Sequence, residues 1–271
     1  MRSLRFNQGF PLERSLLKGM LQCIAAGKAT SDEAVGAYIG VNPYKVQGLR
    51  GWLCKLGIAS GTSKEYRLSS FGAMAALHDP DLALPGTVWL LHYFLASEHE
   101  ERSEVWYRCF NEFLYPGKRF APAELEAYVE RSLPENPANK AGVEKDAKEL
   151  VKTYTQPDAL GNLGLLTRQT DKQLVAGSHT LPEPLIVAYV LFDVWRRRYD
   201  GTNSLRLSQL VSEPETPGRI FLATPAQVRE FVLRLQADGL LGYADTQHEP
   251  VTRKFQALPT VLLEQYYHHE S

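Results

Sequence analysis

Residues 30–68 read TSDEAVGAYIGVNPYKVQGLRGWLCKLGIASGTSKEYRL, and this stretch decides the fold. Ser31 followed by Asp32 and Glu33 supplies a side-chain cap and first-turn acids for a helix start. Gly40-Val41-Asn42 breaks that helix, Asn42 can cap the next, and Pro43 takes its first position, where a missing N–H costs nothing. Val46, Leu49, Leu53 and Leu56 then recur at spacings of three and four, which is one apolar helical face. Gly57 ends the helix, and residues 58–60 and 65–68 flank the turn Gly61-Thr62-Ser63-Lys64. Helix, tight turn, helix and hairpin predict a winged helix-turn-helix.

The face opposite the apolar stripe carries Tyr44, Lys45, Gln47 and Arg50, with Gly48 and Gly51 expected to leave room for close approach. A helix of this kind can enter a DNA major groove, where Gln and Arg read base edges and Lys meets phosphate. Lys64 and Arg67 on the hairpin join the expected contact set, so double-stranded DNA is the expected partner. The plainer alternative is a winged helix that packs on protein and leaves a solvated outer face.

Charge distribution favours the first reading. The net charge of −1 announces no nucleic-acid binder, but residues 1–78 hold ten Lys/Arg against four Asp/Glu, while the remainder holds twenty against twenty-seven. The first segment is therefore +6 and the rest −7. A chain of 271 residues with 44% apolar content supports two or three cores and excludes global disorder. No apolar run reaches membrane-spanning length, and no secretory signal is evident at the N-terminus. Cys23, Cys54 and Cys109 are odd in number and far apart, which reads as buried reduced thiols in a cytoplasmic protein.

Outward from the opening stretch, residues 12–26 form an amphipathic helix that completes the first unit, and Ser69-Ser70 caps a short helix over 71–77. Residues 87–96 are apolar nearly all round and predict a buried helix. An acidic turn (98–101) and an aromatic helix (105–114) follow, and then 122–133 and 143–154 repeat the helix-pair rhythm. Residues 160–176 read as strand, polar turn (Gln169 to Lys172) and strand. Helices are expected over 184–199, 225–237 and 259–267, with a possible wing at 252–257. Leu56-Gly57-Ile58, Leu163-Gly164-Leu165 and Asp238-Gly239-Leu240 share one pattern, a left-handed glycine before a strand. The expected fold is mainly α with small β-hairpins (α+β): tandem winged helix-turn-helix units joined by helical segments, divided at 1–80, 81–180 and 181–271.

Catalytic chemistry is not legible. The seven histidines are scattered without zinc spacing, and His268-His269 reads as a frayed tail. Glu144, Asp146 and Glu149 share helical spacing and are the nearest approach to metal ligands, although a solvated, salt-bridged face explains them better. Arg196-Arg197-Arg198 at a helix end is favoured by the helix dipole before any phosphate clamp is needed. The sequence assigns no catalytic residue and leaves open whether the chain is an enzyme, and no metal site or cofactor is expected.

Several segments together resemble a known family. Val46-Gln47-Gly48-Leu49-Arg50-Gly51-Trp52-Leu53, the block from Asp79-Pro80 through Trp89-Leu90-Leu91-His92, Phe110-Asn111-Glu112-Phe113 and Pro217-Gly218-Arg219-Ile220-Phe221 are similar, in order, to a bacterial domain-of-unknown-function family, number four thousand and seven. Its members resemble the SspB-type component of DNA phosphorothioation defence loci, encoded beside sulfur-transfer proteins. The resemblance implies a DNA-binding role in backbone modification or restriction, with sulfur-transfer or ATPase partner proteins, and DNA nicking is attributed to that component. Here Gln8-Gly9-Phe10 stands where many relatives carry a Gly-His pair before the phenylalanine.

Overall fold

The opening stretch folds as its caps and spacing dictate. In the computed structural model, which describes residues 4–62, 64–99, 102–171, 173–177 and 179–270, helix α1 (Arg14–Ala25) packs on α2 (Asp32–Ile39) and α3 (Pro43–Lys55). The Ser31 hydroxyl accepts from the Ala34 N–H, the Asn42 side chain accepts from the Lys45 N–H at 2.8 Å, and Gly40 takes a left-handed φ of 75° between them. Strands β1 (Ala59–Thr62) and β2 (Glu65–Leu68) pair antiparallel with Ala59 opposite Leu68, and α4 (Ser70–His78) follows under a Ser69 cap. Val46, Leu49, Leu53 and Leu56 are all buried. Ser63 of the expected turn, Glu100 and Glu101 of the acidic turn, and Lys172 of the second polar turn lie outside the described residues.

Helix α5 (Pro85–Ala96) is buried on nearly every side, as its composition demands. Helix α6 (Glu104–Arg108) does not continue regularly to residue 114: it widens into a π turn over Cys109–Phe113. Asn111 sits in that turn and donates to the carbonyls of Ala96 and Tyr107, satisfying groups a side chain at this depth must satisfy. Strand β3 (Arg119–Phe120), helices α7 (Pro122–Arg131) and α8 (Pro137–Thr155), a 3-10 turn (Gly161–Leu163) and strands β4 (Leu166–Arg168) and β5 (Leu174–Ala176) complete the middle of the chain. The three strands form one antiparallel sheet in the order β3-β5-β4.

The last stretch runs α9 (Pro184–Arg198), β6 (Ser204–Arg206), α10 (Leu207–Ser212), α11 (Pro217–Ile220), α12 (Pro225–Ala237), β7 (Leu241–Tyr243), β8 (Pro250–Arg253) and α13 (Thr260–Glu270). Its sheet has the order β6-β8-β7, the same arrangement as the middle one. Gly57, Gly164 and Gly239 all take left-handed φ, between 67° and 74°, so the shared glycine pattern reports one backbone shape. The fold is thus mostly helical with small antiparallel sheets, an α+β arrangement. The terminal histidine pair belongs to α13 rather than a frayed tail, because the His268 ring stands edge-on to His78 at 5.6 Å.

One buried side chain ties the parts together. His92 of α5 faces the Ile220 carbonyl with Nε2 at 2.8 Å and the Tyr154 hydroxyl with Nδ1 at 2.7 Å. A carbonyl can only accept, so Nε2 carries the proton and Nδ1 accepts from the phenol. Burial pushes the imidazole pKa down to about 3, which keeps it neutral and holds that tautomer.

Candidate nucleic-acid interface

Tyr44, Lys45, Gln47 and Arg50 all stand on α3, and Lys64 and Arg67 on the β1–β2 hairpin, but they differ in freedom. Tyr44 is 58% exposed and its ring meets Phe10 edge-on at 5.5 Å. Lys45 is held 3.0 Å from Glu13, just before α1. Gln47 is half-buried on the same end of the helix. Lys64 is exposed in the turn, and Arg67 is an exposed arginine whose guanidinium sits 2.6 Å from Glu65. An exposed pair of this kind exchanges readily with solvent and with a phosphate.

Arg50 does not project outward as its position on the helical wheel predicted. Its guanidinium lies 2.5 Å from Asp32, and the Tyr66 hydroxyl donates to the same carboxylate oxygen at 2.5 Å. Asp32 is 4% exposed, so the three side chains form a buried clasp between the first turn of α2, the middle of α3 and strand β2. Burial alone would lower the Arg50 pKa, but its partners more than offset that and raise it, while burial followed by Asp32 carries the Tyr66 phenol well upward. The clasp holds the hairpin at a set angle to α3.

Gly48 and Gly51 do allow close approach, but the occupant is the chain's own N-terminal segment. A Cβ on Gly48 would lie 2.6 Å from the Asn7 carbonyl oxygen, and one on Gly51 would lie 2.2 Å from that of Phe6. Residues 4–13 therefore run as a strap along this side of α3. The Trp52 indole donates to the Phe10 carbonyl at 3.0 Å, and the Phe6 ring packs edge-on against Trp52 and Trp106 at 4.8 and 5.4 Å. Aromatic edge-to-face pairs add about 0.5–1.5 kcal/mol each beyond area burial.

The carboxylates of α8 serve that strap. The Arg5 backbone N–H donates to Asp146 at 2.8 Å, and Asp146 is 2% exposed. Burial, partly offset by the Arg5 backbone, raises Asp146 to about 6, and burial likewise raises Glu149 against the pull of Lys152 and the Leu12 backbone. Glu144 is the member that fits a solvated, salt-bridged face, 2.6 Å from Lys148. Among the described residues no three His, Cys, Asp or Glu side chains converge. Cys23 and Cys109 are buried as expected, whereas Cys54 is exposed, because it falls on the side of α3 that lines an open cleft.

An open cleft of about 650 Å³ lies where α3 and the hairpin meet α5 and α9, with Lys55, Ser60, His99, Asp193 and Arg197 among its walls. Tyr93 donates to Asp193, and Arg197 donates to the Tyr93 hydroxyl at 2.7 Å and pairs with Glu215 at 2.7 Å. Burial, then the nearby Arg197 charge, pushes His99 down to about 4. Asp193 and Arg197 stand four residues apart on one helix, the signal that could have found this network in the sequence.

Comparison with known proteins agrees with the resemblance. Residues 8–267 match the model of the family described as Protein of unknown function (DUF4007), and the chain belongs to that family. Its fold is similar to a magnesium ion-bound SspB crystal structure and to a second SspB crystal structure, each with a TM-score of 0.79 at 22% identity. Each alignment covers 99% of this chain and 88% of the SspB chain. Among curated proteins none matches this chain.

Proposed function

We propose that this chain is the DNA-binding component of a bacterial phosphorothioation (DNA sulfur modification) or related restriction and antiphage defence system. It would work in the cytoplasm beside sulfur-transfer or ATPase partner proteins of the same locus. The observation that carries this reading is the open end of the first helix-turn-helix. Tyr44, Lys45 and Gln47 stand at the N-terminal end of α3, and Lys64 and Arg67 stand on the hairpin that the Asp32–Arg50–Tyr66 clasp holds beside it. In this reading Arg50 positions the hairpin, while the other five residues meet the duplex. The SspB-like fold supports the choice of system, and no helix is long and apolar enough to cross a membrane among the described residues.

The middle and last stretches extend the reading to tandem winged-helix units. In each, a short strand precedes the helices, two in the middle stretch and three in the last, and joins the second strand of the hairpin that follows, giving the orders β3-β5-β4 and β6-β8-β7. The divisions at 1–80, 81–180 and 181–271 follow these repeats.

Fluorescence anisotropy on duplex DNA at several salt concentrations tests the proposal. A Lys64→Ala, Arg67→Ala double variant should flatten the salt dependence by about two phosphate contacts, a slope change of roughly 1.8. Gln47→Ala should relax preference at one base position at about 1–3 kcal/mol if the contact is bidentate. Unchanged affinity and slope in both folded variants would sink groove docking and leave a protein-interaction scaffold. The metal-dependent nickase reading is separated by a plasmid assay: nicking with magnesium that vanishes in Asp146→Asn would promote it.

A further inference from the structure

The arginine triplet ending α9 divides between two tasks. Arg197 and Arg198 both turn to Glu215, a carboxylate that is 1% exposed, at 2.7 and 3.2 Å. Arg196 does not join them. Its side chain has no ion pair or hydrogen bond among the described residues, and it lines a notch of about 280 Å³ with Arg253, the last residue of β8. The Nε of Arg253 is buried without a hydrogen-bond partner, and its guanidinium meets no carboxylate within ion-pair distance among the described residues. Elsewhere Arg50, Arg102, Arg108 and Arg229 each lie within ion-pair distance of a carboxylate, Arg102 and Arg108 sharing Glu104. A buried guanidinium N–H left unpaired is destabilising, and an oxyanion in the notch would supply the missing acceptor.

The remaining walls suit such a guest. Phe255 packs on Phe192 at 4.9 Å and closes one side. Residues 256–259 close another as they lead into α13, whose first turn carries the positive end of the helix dipole. Asp200 is the one carboxylate among the lining residues; it is exposed and makes no ion pair with either arginine.

We propose that this notch binds a phosphoryl oxyanion, the phosphate of a free nucleotide or of a nucleic-acid backbone, with the Arg253 fork gripping it and Arg196 closing over it. Two guanidinium groups match a tetrahedral oxyanion of charge near −2 better than a single carboxylate, because its oxygens can accept from both forks. The site shares no residue with α3 or the first hairpin, so it stands or falls separately from groove docking there.

The test titrates inorganic phosphate and a 5′-mononucleotide into the full chain by calorimetry, and follows duplex DNA by anisotropy. Arg196→Gln and Arg253→Gln are compared with Arg234→Gln, which removes the same charge from an exposed position on α12. Arg253→Lys keeps the charge but not the fork, and covers the case in which Arg253→Gln fails to fold. The expected result is binding of inorganic phosphate that weakens about tenfold in each notch variant and not in Arg234→Gln. Loss confined to duplex binding, with no free phosphate or nucleotide bound by the wild type, assigns the oxyanion to the nucleic-acid backbone. Wild-type behaviour toward all three probes in notch variants that melt normally overturns the proposal, as does an equal loss in Arg234→Gln. Groove docking is read separately, from whether the Lys64→Ala, Arg67→Ala variant loses duplex and keeps phosphate.

Discussion

The first and last stretches of the chain treat their charges in opposite ways. In the first, Lys18, Lys45, Arg50 and Arg67 all have carboxylate partners, and the strap lies along one side of α3. In the last, Arg229 pairs with Asp245, itself 78% exposed, while Arg196 and Arg253 line a notch without ion-pair partners among the described residues. By formal charge the first 78 residues are the basic end of the molecule. Glu13, Asp32 and Glu65 are already subtracted in that sum, so pairing leaves the excess in place and decides only which cations carry it: Lys45, Arg50 and Arg67 are matched at 2.5–3.0 Å, and the surplus falls on other side chains.

The comparison breaks most readily at its two ion pairs. Arg50→Ala leaves Asp32 buried without its guanidinium, and the expected loss of stability in urea is about 3–5 kcal/mol. Arg229→Ala removes a pair at the surface, and about 0–1 kcal/mol is expected. Equal midpoints for the two variants would show that the clasp is not the internal fastening described above, and would return Arg50 to the outward, base-reading role.

Glycines provide a smaller contrast. Gly51→Ala drives a methyl against the Phe6 carbonyl, so overpacking of about 1–3 kcal/mol is expected, together with a change in tryptophan fluorescence as Phe6 leaves Trp52 and Trp106. Gly239 has open space around it and φ of 74°, so Gly239→Ala costs about 1–2 kcal/mol of backbone strain and leaves the tryptophan signal alone. An unaltered spectrum in Gly51→Ala would mean that the strap does not lie on α3 in solution.

A modest effect is expected in the pH dependence of the strap. The folded pKa of Asp146 is raised from 3.8 to about 6, so its contribution is complete below pH 3.8 and is lost as pH rises through about 6. Asp146→Asn keeps a neutral acceptor for the Arg5 N–H. Wild-type stability should therefore fall relative to that variant between pH 4 and 7, by an amount of order 1 kcal/mol. Parallel curves would show that the carboxyl stays in water.

Much of the first stretch was legible because its signals are local. Ser31, Asn42 and Pro43 mark helix starts through their own backbone chemistry, and helix 225–237 begins and ends where its proline and glycine place it. β3 and β6 were not legible: strands of two and three residues carry no periodicity, and they exist because a distant hairpin offers them an edge. Helices α10 and α11 are six and four residues long, too short for a repeat to declare itself. The contact set was legible in identity but not in availability. Whether Lys45 and Arg50 are free depends on Glu13 and Asp32, which approach them only in the folded chain.

His92 carries a consequence for how the molecule can open. Its ring gives one proton to α11 and takes one from the phenol of α8, so freeing either neighbour in the dry interior strands a polar group without a partner. Loosening α11 alone orphans the Ile220 carbonyl and the ring N–H, and loosening α8 alone orphans the Tyr154 hydroxyl. Partial openings are thereby penalised twice, whereas complete unfolding hands every one of these groups to water. The amides of α5, α8 and α11 should exchange with solvent at one common slow rate, and α8 also anchors the strap, so the cover over α3 shares in that slow clock.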